Sequence, residues 1–448
     1  MISGTSTRDA PRTLPALARA WARRLPWDVW AVLGIGAVAL VPRLTALGAF
    51  SVEYDEGVYW QSLRALAAGH PLYSQVFSSQ PPLFLALVLP LFLIFGQTLA
   101  AARLGVAVLS LIGIGALFSA GRMLGGRWAG VLAAALLALD PLYLRQSITL
   151  QAEAPAVAFA ALAVALAVAA TRHAGHARAR FAVASGAALS VGLLIKLFAV
   201  VALVPVVIYL AAPVFPLWLG ADGRPRLPAW AALRPELRAR LRAVAPDLGW
   251  LAVGLFGAAL VVLLPLASRW GDLYQQVVSY HFAAAQTASA GLGAQAHLIA
   301  RGVGWLPLAL PALLAVGLLV WRRWWGLLPP LLWALASLLL LLGQQPLFAH
   351  HVVLLSAPLA LAGGLGLALG ARELRAGRVR LPEWGEVSLV RAAVLLVLAG
   401  AVVFGLGRSL DLLASTSAYV PLDQLRMALS LEAATPYGEV VITDDPYV

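Results

Sequence analysis

The 448-residue sequence contains no cysteine, a single lysine and few charged residues, which make up only 12% of the chain. Without thiols, the protein forms no disulfides and no thiolate-based sites. The sequence also lacks a Walker-type glycine-rich loop and a GxGxxG motif after a predicted strand, so neither motif supports nucleotide binding. Hydrophobic residues dominate instead, at 61% of the chain, a content that excludes an ordinary soluble globular protein.

Apolar runs of roughly 17 to 25 residues recur along the chain, and each is long enough to cross about 30 Å of membrane hydrocarbon. The sequence therefore predicts an all-α polytopic membrane protein. Its net charge of +12 comes from arginines in the loops between the apolar runs. Basic loops of this kind are typical of the cytoplasmic side of a membrane protein, so the charge does not indicate a nucleic-acid partner.

Eleven membrane spans are predicted if the apolar run 83–95, about 13 residues and short for a span, does not cross the membrane. We place this run as a re-entrant or interfacial helix. All the basic loops then lie in the cytoplasm, namely 122–127, 172–180, 224–242, 322–323 and 372–391. The predicted spans cover residues 29–47, 99–121, 128–143, 154–171, 181–198, 200–219, 248–267, 301–321, 326–343, 352–370 and 392–410.

This topology gives the chain three parts and places three polar segments, 51–80, 144–153 and 268–300, on the outer side. The first outer loop, 51–98, is predicted to hold two surface helices joined by a turn. No small-residue cleavage site follows the arginines before the first span, so we expect that start to be retained. The three parts are a cytoplasmic tail at 1–28, a transmembrane domain at 29–410 and an extracytoplasmic region at 411–448.

The extracytoplasmic region after residue 411 contains a predicted amphipathic helix at 421–434 and a predicted strand at 439–443. One helix and one strand cannot bury a core. The region is therefore predicted to be either the start of a small α/β outer domain or a small natural tail.

The most unusual polar residues are two adjacent acids, Asp55 and Glu56, after the first span. Carboxylates near a bilayer are costly and often functional. One of them could act as a general base while its neighbour binds substrate or metal. At the start of a helix the dipole favours the carboxylate form. The alternative is a helix cap with a solvated acid beside it.

Glu153 and Lys196 are predicted at the outer ends of two further spans. Glu153 could join Asp55 or Glu56 in a carboxylate cluster that holds a divalent cation such as Mg²⁺ or Mn²⁺. Lys196, the only lysine, needs an anionic partner if buried, either a phosphate or a carboxylate of the same site. The alternatives are an N-terminal helix acid for Glu153 and a lysine that extends to the interface for Lys196.

Two more predicted outer segments carry candidate substrate-binding residues. One contains Arg269, Tyr280 and His281, and its arginine could bind a phosphate through two hydrogen bonds. The other contains His350 and His351, whose adjacent positions are not a helical metal-ligand spacing and give weak support for zinc. Tyr59, on the first predicted surface helix, is a further candidate for contact with substrate.

Several motifs occur in a fixed order along the first part of the chain. They are Tyr54-Asp55-Glu56-Gly57-Val58-Tyr59, Gly69-His70-Pro71-Leu72-Tyr73, Gln80-Pro81-Pro82-Leu83, Phe95-Gly96 and Ala102-Arg103-Leu104. This order resembles the bacterial membrane glycosyltransferases related to protein O-mannosyltransferases, a group that includes the aminoarabinose transferases of lipid A. The resemblance extends over about 29–410 and implies a GT-C fold.

The resemblance implies an inverting transfer from a polyprenyl-phosphate sugar to a glycan, lipid or protein acceptor. It places the reaction on the extracytoplasmic face of the bacterial plasma membrane. It implies that Asp55 is the base, that Glu56 is the next acid of the same motif, and that Glu153 and Lys196 match polar positions of the family. Lys196 and Arg269 are then the candidates for stabilising the charge of the leaving phosphate.

Two other functions are open from the sequence. A transporter or flippase of a lipid-linked substrate would also carry intramembrane charge, but it would be expected to show interrupted spans in two repeated halves. No such repeat is visible, and the polar residues collect at one surface. A non-catalytic membrane assembly factor would not need four charged residues to converge around one cavity, namely Asp55, Glu56, Glu153 and Lys196.

Overall fold

The computed structural model describes residues 25–48, 54–214, 230–287, 290–302 and 308–375, with a few further residues between 400 and 411. These residues are almost entirely helical, and the one extended pairing among them is an isolated bridge between Leu72 and Val76. The α-helices are α1 Trp27–Thr45, α2 Tyr54–Ala67, α3 Leu83–Ile94, α4 Leu99–Gly125, α5 Arg127–Ala138, α6 Pro141–Ile148, α7 Glu153–Thr171, α8 Gly175–Ile195, α9 Leu203–Leu210, α10 Trp230–Leu263, α11 Trp270–Tyr274, α12 Tyr280–Thr287, α13 Leu292–Gly302, α14 Ala309–Arg322, α15 Leu328–Gly343 and α16 Ser356–Arg375.

The helices are those of a multi-pass membrane protein, as predicted. Seven segments of the described chain are long and apolar enough to cross a membrane, or eight if α5 and α6 together form one span. Two shorter apolar segments, Leu197–Leu210 and Ala309–Val320, coincide with further predicted spans. The count of eleven stays a prediction. The span at 392–410 and the C-terminal helix and strand lie almost wholly outside the described residues.

Helices α1 and α4 run antiparallel, and an ion pair lies at each end of the bundle that they define. Arg122, at the end of α4, pairs with Asp28 at the start of α1, with 2.7 Å from Nε to Oδ2. Arg103, near the start of α4, donates to the backbone oxygen of Leu47 after the end of α1, at 3.0 Å, and pairs with Glu56. We refer to these as the Asp28 end and the Glu56 end.

Arginines from the loops predicted to be cytoplasmic meet at the Asp28 end. Arg127 lies 3.6 Å from Asp28, and Arg172 donates to the backbone oxygen of Met123. The side chain of Arg372 lies beside the glycine that separates α4 from α5. Basic loops that are distant in sequence therefore share one end of the bundle, as the charge pattern predicts.

Helix α3 corresponds to the short apolar run that is predicted not to cross the membrane. Its 12 residues cover only about 18 Å at 1.5 Å per residue. The preceding span, α1, ends at the Glu56 end, and the following span, α4, starts there. Helix α3 packs against α2 at that end through Phe84, whose ring meets Tyr59 edge to face with 5.0 Å between centroids.

The predicted span 128–143 is not one straight helix. Helices α5 and α6 meet at an angle of 60°. Asp140 breaks the helix because its side chain accepts a hydrogen bond from the backbone nitrogen of Tyr143, at 3.0 Å, and so caps a new helix. Pro141 is the first residue of that helix, a position that tolerates the missing N–H.

The predicted outer segment 268–300 is helical over most of its length. Residues Leu237–Gln286 form one apolar helical segment of 50 residues, which we call the long helix. At roughly 1.5 Å per residue it reaches about 75 Å, more than twice the thickness of the hydrocarbon layer. Within the predicted span 301–321, the structure describes the end of α13 at Gly302 and then α14 from Ala309 onward.

The long helix crosses α8 through a close pair of glycines. A methyl group added to Gly254 would collide with the backbone oxygen of Val183, and one added to Gly186 would collide with the backbone oxygen of Leu251. The two backbones therefore touch, an arrangement that small residues allow in membrane proteins.

We expect Gly254→Val to lower the thermal unfolding midpoint in detergent, because the new side chain would force the two backbones apart. Overpacking of this kind costs about 1–3 kcal/mol. Gly257→Val is the matched control, since an added Cβ there meets no atom of the described part of the chain within 4 Å. Equal losses of stability in the two variants would contradict the crossing described here.

Candidate active site

A cavity of about 550 Å³ lies at the Glu56 end, between α2, the long helix and the end of α15. Its volume is within the usual range of small-molecule sites. We call it the main cavity. It is lined by Tyr54, Asp55, Tyr59, Ser79, Gln80, Pro81, Lys196, Leu197, Phe198, Val200, Val277, Tyr280, His281, Ala284, Leu340, Gln344, Pro346, Phe348, His350 and His351.

Asp55 lies in the first turn of α2, is partly buried and lines the main cavity. The N-terminal end of a helix favours a negative charge, which stabilises its carboxylate form. A carboxylate in this position can accept a proton from a group bound in the cavity. The structure therefore brings this predicted residue to a site where base chemistry is geometrically available.

Glu56 occupies a different environment, because the next residue of a helix lies about 100° further round its axis. Its side chain is completely buried and does not line the main cavity. Oε1 accepts from Nε of Arg103 at 2.7 Å, and Oε2 accepts from Nη2 at 2.8 Å. Oε1 also accepts from the backbone nitrogen of Leu150 at 2.6 Å. Glu56 thus fixes α2 to α4 and to the segment before α7.

Glu153 and Lys196 form a buried ion pair at the wall of the main cavity. Glu153 begins α7, and its Oε1 pairs with Nζ of Lys196. Lys196 follows the last residue of α8, where the backbone becomes extended, and its side chain lines the cavity. Nε2 of His350 lies 3.5 Å from the same carboxylate oxygen. The lysine therefore has a carboxylate partner and also presents positive charge to the cavity.

One group of side chains within the described part of the chain has the composition of a metal site. The ligand atoms of Glu153, His350 and His351 lie within 4.8 Å of one another. Two imidazoles and a carboxylate suit zinc. Oε2 of Glu153 is buried and has no hydrogen-bond partner among the residues that the structure describes, whereas Oε1 already contacts Lys196. A cation would have to share Glu153 with the lysine or displace it, and the expected ligands Asp55 and Glu56 are not part of this group.

Tyr59 also lines the main cavity, one turn after Asp55. Burial raises the pKa of its phenol well above the usual value, and the negative charges of Glu153 and Asp55 raise it further. The phenol therefore stays protonated at neutral pH. Tyr59 can donate a hydrogen bond to a bound group but cannot serve as a base.

The remaining predicted residues divide into two groups. His281 and His350 line the main cavity, and the ring Nδ1 of His281 lies 3.0 Å from the backbone oxygen of Val277. Arg269 does not line it and ends a 3₁₀ segment, Leu264–Arg269, that lies within the long helix. Its predicted contact with a phosphate stays a prediction.

Ser79 and Gln80 line the cavity, although neither was a candidate site residue in the sequence, where Gln80 appears only in the motif Gln80-Pro81-Pro82-Leu83. The long helix holds this stretch through one residue. Gln276 donates from Nε2 to the backbone oxygen of Tyr73 at 2.7 Å, and its Oε1 accepts from the backbone nitrogen of Ser78 at 3.0 Å. Polar residues followed by two prolines were the available signal in the sequence. The contact with Gln276, which lies 198 residues after Ser78, leaves no local pattern.

Comparisons with known proteins agree with the predicted resemblance. A sequence model of the family described as dolichyl-phosphate-mannose-protein mannosyltransferase matches residues 79–220, which is less than half of the chain. No curated protein matches the sequence of the chain.

Two solved membrane proteins share the fold. ArnT from Cupriavidus metallidurans, solved bound to undecaprenyl phosphate, has a TM-score of 0.63 at 20% identity, covering 93% of this chain and 84% of ArnT. The archaeal oligosaccharyltransferase AglB from Archaeoglobus fulgidus, in complex with an inhibitory peptide and a dolichol-phosphate, has a TM-score of 0.53 at 17% identity. That match covers 92% of this chain and 58% of AglB. The GT-C fold predicted from the sequence is confirmed.

Proposed function

We propose that the protein transfers a sugar from a polyprenyl-phosphate donor to an acceptor hydroxyl, with inversion and with Asp55 as the base. The observation that carries this proposal is the joint presence of the Asp55 carboxylate and the Lys196 ammonium in one cavity. The fold shared with ArnT and AglB, each solved with a polyprenyl-type phosphate lipid, supports it.

The main cavity has the mixed lining that an amphiphilic donor requires. Leu197, Val200 and Leu340 contribute apolar wall that suits a hydrocarbon chain, while Lys196 and His350 lie nearby and suit a phosphate. A polyprenyl-phosphate sugar combines these two chemistries. A water-soluble nucleotide sugar would not need the apolar part of the wall.

The reaction is a single displacement at the anomeric carbon. The acceptor oxygen forms a bond to this carbon as the bond from the carbon to the phosphate oxygen breaks, and that bond's electron pair leaves with the lipid phosphate. Asp55 takes the proton of the attacking hydroxyl. Lys196 stabilises the charge that develops on the phosphate oxygens, with Tyr59 as a neutral hydrogen-bond donor.

We assign Glu56 a supporting role that differs from the one predicted. Its ion pair with Arg103 holds the first turn of α2, so that Asp55 faces the cavity. Glu153 in turn orients Lys196. Both acids then act through a neighbouring residue and do not contact the substrate.

The reaction is assigned to the extracytoplasmic face of a bacterial plasma membrane. The arginines at the Asp28 end support this orientation, because basic loops favour the cytoplasm and the main cavity lies at the opposite end.

The test is to incubate the purified protein, in lipid nanodiscs, with a panel of polyprenyl-phosphate sugars and hydroxyl acceptors. We expect release of the free lipid phosphate together with a glycosylated acceptor. A flippase would move the donor across a vesicle membrane without breaking the sugar–phosphate bond. Movement of intact donor with no bond cleavage across the panel would therefore replace this proposal with transport.

Lys196→Met should lower kcat by roughly 10²–10³-fold, the usual loss when one group that stabilises transition-state charge is removed. Lys196→Arg keeps the charge and should retain more activity than the methionine variant. Assays with and without a chelator show whether a cation at Glu153, His350 and His351 contributes. Equal activity of Lys196→Met and the unmodified protein would contradict the assigned role.

A further inference from the structure

A second cavity of about 440 Å³ lies beside the main cavity. The two cavities share four wall residues, which are Tyr54, Asp55, Phe348 and His350. Asp55 is therefore accessible from both sides, and a molecule in either cavity can approach its carboxylate. An in-line displacement has its attacking and leaving groups on opposite sides of the reacting carbon, so separate cavities for donor and acceptor beside one base suit this reaction.

One wall of the second cavity is formed by a face of α6. Leu142, Arg145 and Gln146 have i, i+3, i+4 spacing and so project from the same side of this helix. The helix is held firmly, because Tyr143 donates from its hydroxyl to the backbone oxygen of Ser110 at 2.6 Å. The arginine and the glutamine therefore reach the cavity from a fixed support.

Gln146 supplies an independent indication of a ligand. Its side chain is 1% exposed, and its Oε1 is buried without a hydrogen-bond partner among the described residues. A buried amide oxygen without a partner is costly. Since Gln146 lines the cavity, a hydroxyl or amine of a bound molecule can supply the missing donor.

Both cavities combine apolar and polar lining, but they differ in the groups that could hold a ligand. The main cavity contains Lys196 together with the apolar residues Leu197 and Val200, which suit the phosphate and the hydrocarbon chain of a lipid. The second cavity contains Arg145 and Gln146, which do not line the main cavity. The guanidinium of Arg145 contributes a permanent positive charge, and its planar shape is suited to phosphate or carboxylate.

We propose that the second cavity binds the acceptor and selects one that carries an anionic group, which Arg145 binds while Gln146 accepts a hydrogen bond from an acceptor hydroxyl or amine. This inference rests on the proposed transferase function. It assigns Arg145 and Gln146, neither of which is needed by the donor, as determinants of acceptor specificity.

The experiment compares two probes that differ by one phosphate group, octyl glucoside and octyl glucoside 6-phosphate, at sub-micellar concentrations in nanodiscs. Binding is followed by ligand-induced thermal stabilisation, and transfer is followed with the donor that the panel identifies. We expect the phosphorylated probe to bind roughly 10- to 100-fold more tightly, the effect of one charge-assisted contact. Arg145→Gln should abolish that preference without changing the donor KM. Arg64→Gln, which removes an exposed arginine of α2, should keep it.

The outcomes separate the two proposals. Absence of transfer with every donor, together with an intact preference for the phosphorylated probe, would overturn the transferase function and leave the anion site. Transfer without that preference, or a preference that survives Arg145→Gln, would overturn the acceptor site. A preference lost in Lys196→Met but kept in Arg145→Gln would locate the anion in the main cavity and would likewise overturn it.

Discussion

Asp55→Asn is expected to reduce sugar transfer by roughly 10²–10⁴-fold, the contribution usually made by a positioned general base. The amide keeps the size and shape of the carboxylate but cannot take the proton of the attacking hydroxyl. Donor binding should persist, because the residues that hold phosphate are unchanged. The measurement is the initial rate of lipid-phosphate release at saturating donor, together with the donor KM.

The control for this variant is its stability. Asp55 is only partly buried, so Asp55→Asn should insert into the membrane and unfold at nearly the same temperature as the unmodified protein. Full transfer activity in Asp55→Asn would eliminate this residue as the base. If Asp55→Asn lost activity because it no longer folded, the partly buried position of Asp55 described here would be contradicted.

Arg103→Leu is expected to lower the free energy of unfolding by about 3–5 kcal/mol, the usual cost of removing one partner of a buried ion pair. The change would leave Glu56 as an uncompensated charge in a fully buried site, where both of its oxygens now accept from the guanidinium. The expected result is a large drop in the thermal midpoint or a failure to accumulate in the membrane.

Two further variants distinguish the cost of leaving a buried charge unpaired from the cost of lost packing. Glu56→Leu combined with Arg103→Leu removes both charges and should recover part of the lost stability, because no unpaired charge remains. Arg64→Leu removes an exposed arginine that contacts Gln61 and should change stability little. If the double variant were less stable than Arg103→Leu, the unpaired charge of Glu56 would not explain the loss of stability. The contacts that Glu56 and Arg103 make would then be what stabilises α2.

Hydrophobic length was sufficient to predict most of the apolar helices, and the charge pattern was sufficient to group the basic loops at one end of the bundle, whereas the non-crossing of α3 stays a prediction. Hydrophobic length and basic loops act locally, so they can be recognised without knowing the tertiary contacts. The break at Asp140 was missed because the run 128–143 is apolar on both sides of it, and a single capping side chain outweighs this pattern. The long helix was missed because the polar residues after Ala267 suggested a loop, although the helical segment continues past Pro265.

The sequence predicted which residues belong to the candidate site, but not which of them contact one another. Asp55 and Glu56 are chemically alike in the sequence, and only Arg103, 47 residues further along, distinguishes the buried acid from the one in the cavity. Lys196 was expected to have a phosphate or carboxylate partner, and the structure provides Glu153. His350 and His351 are adjacent and so lack a helical ligand spacing in the sequence. They lie on a 3₁₀ turn, and the structure nevertheless brings a ring nitrogen of each close to the carboxylate of Glu153.

The long helix joins two parts of the molecule that lie far apart. Its backbone touches α8 at Gly254, while His281 contributes to the cavity wall roughly 40 Å further along at 1.5 Å per residue. Between these points the backbone passes through a π-helical stretch, Gln275–Ser279, a local widening that is frequent at functional sites. Gln276 lies on this stretch and hydrogen-bonds to the backbone of Tyr73 and Ser78. The cavity wall is therefore cross-linked to the segment before α3 at the point where the helix departs from regular α-geometry.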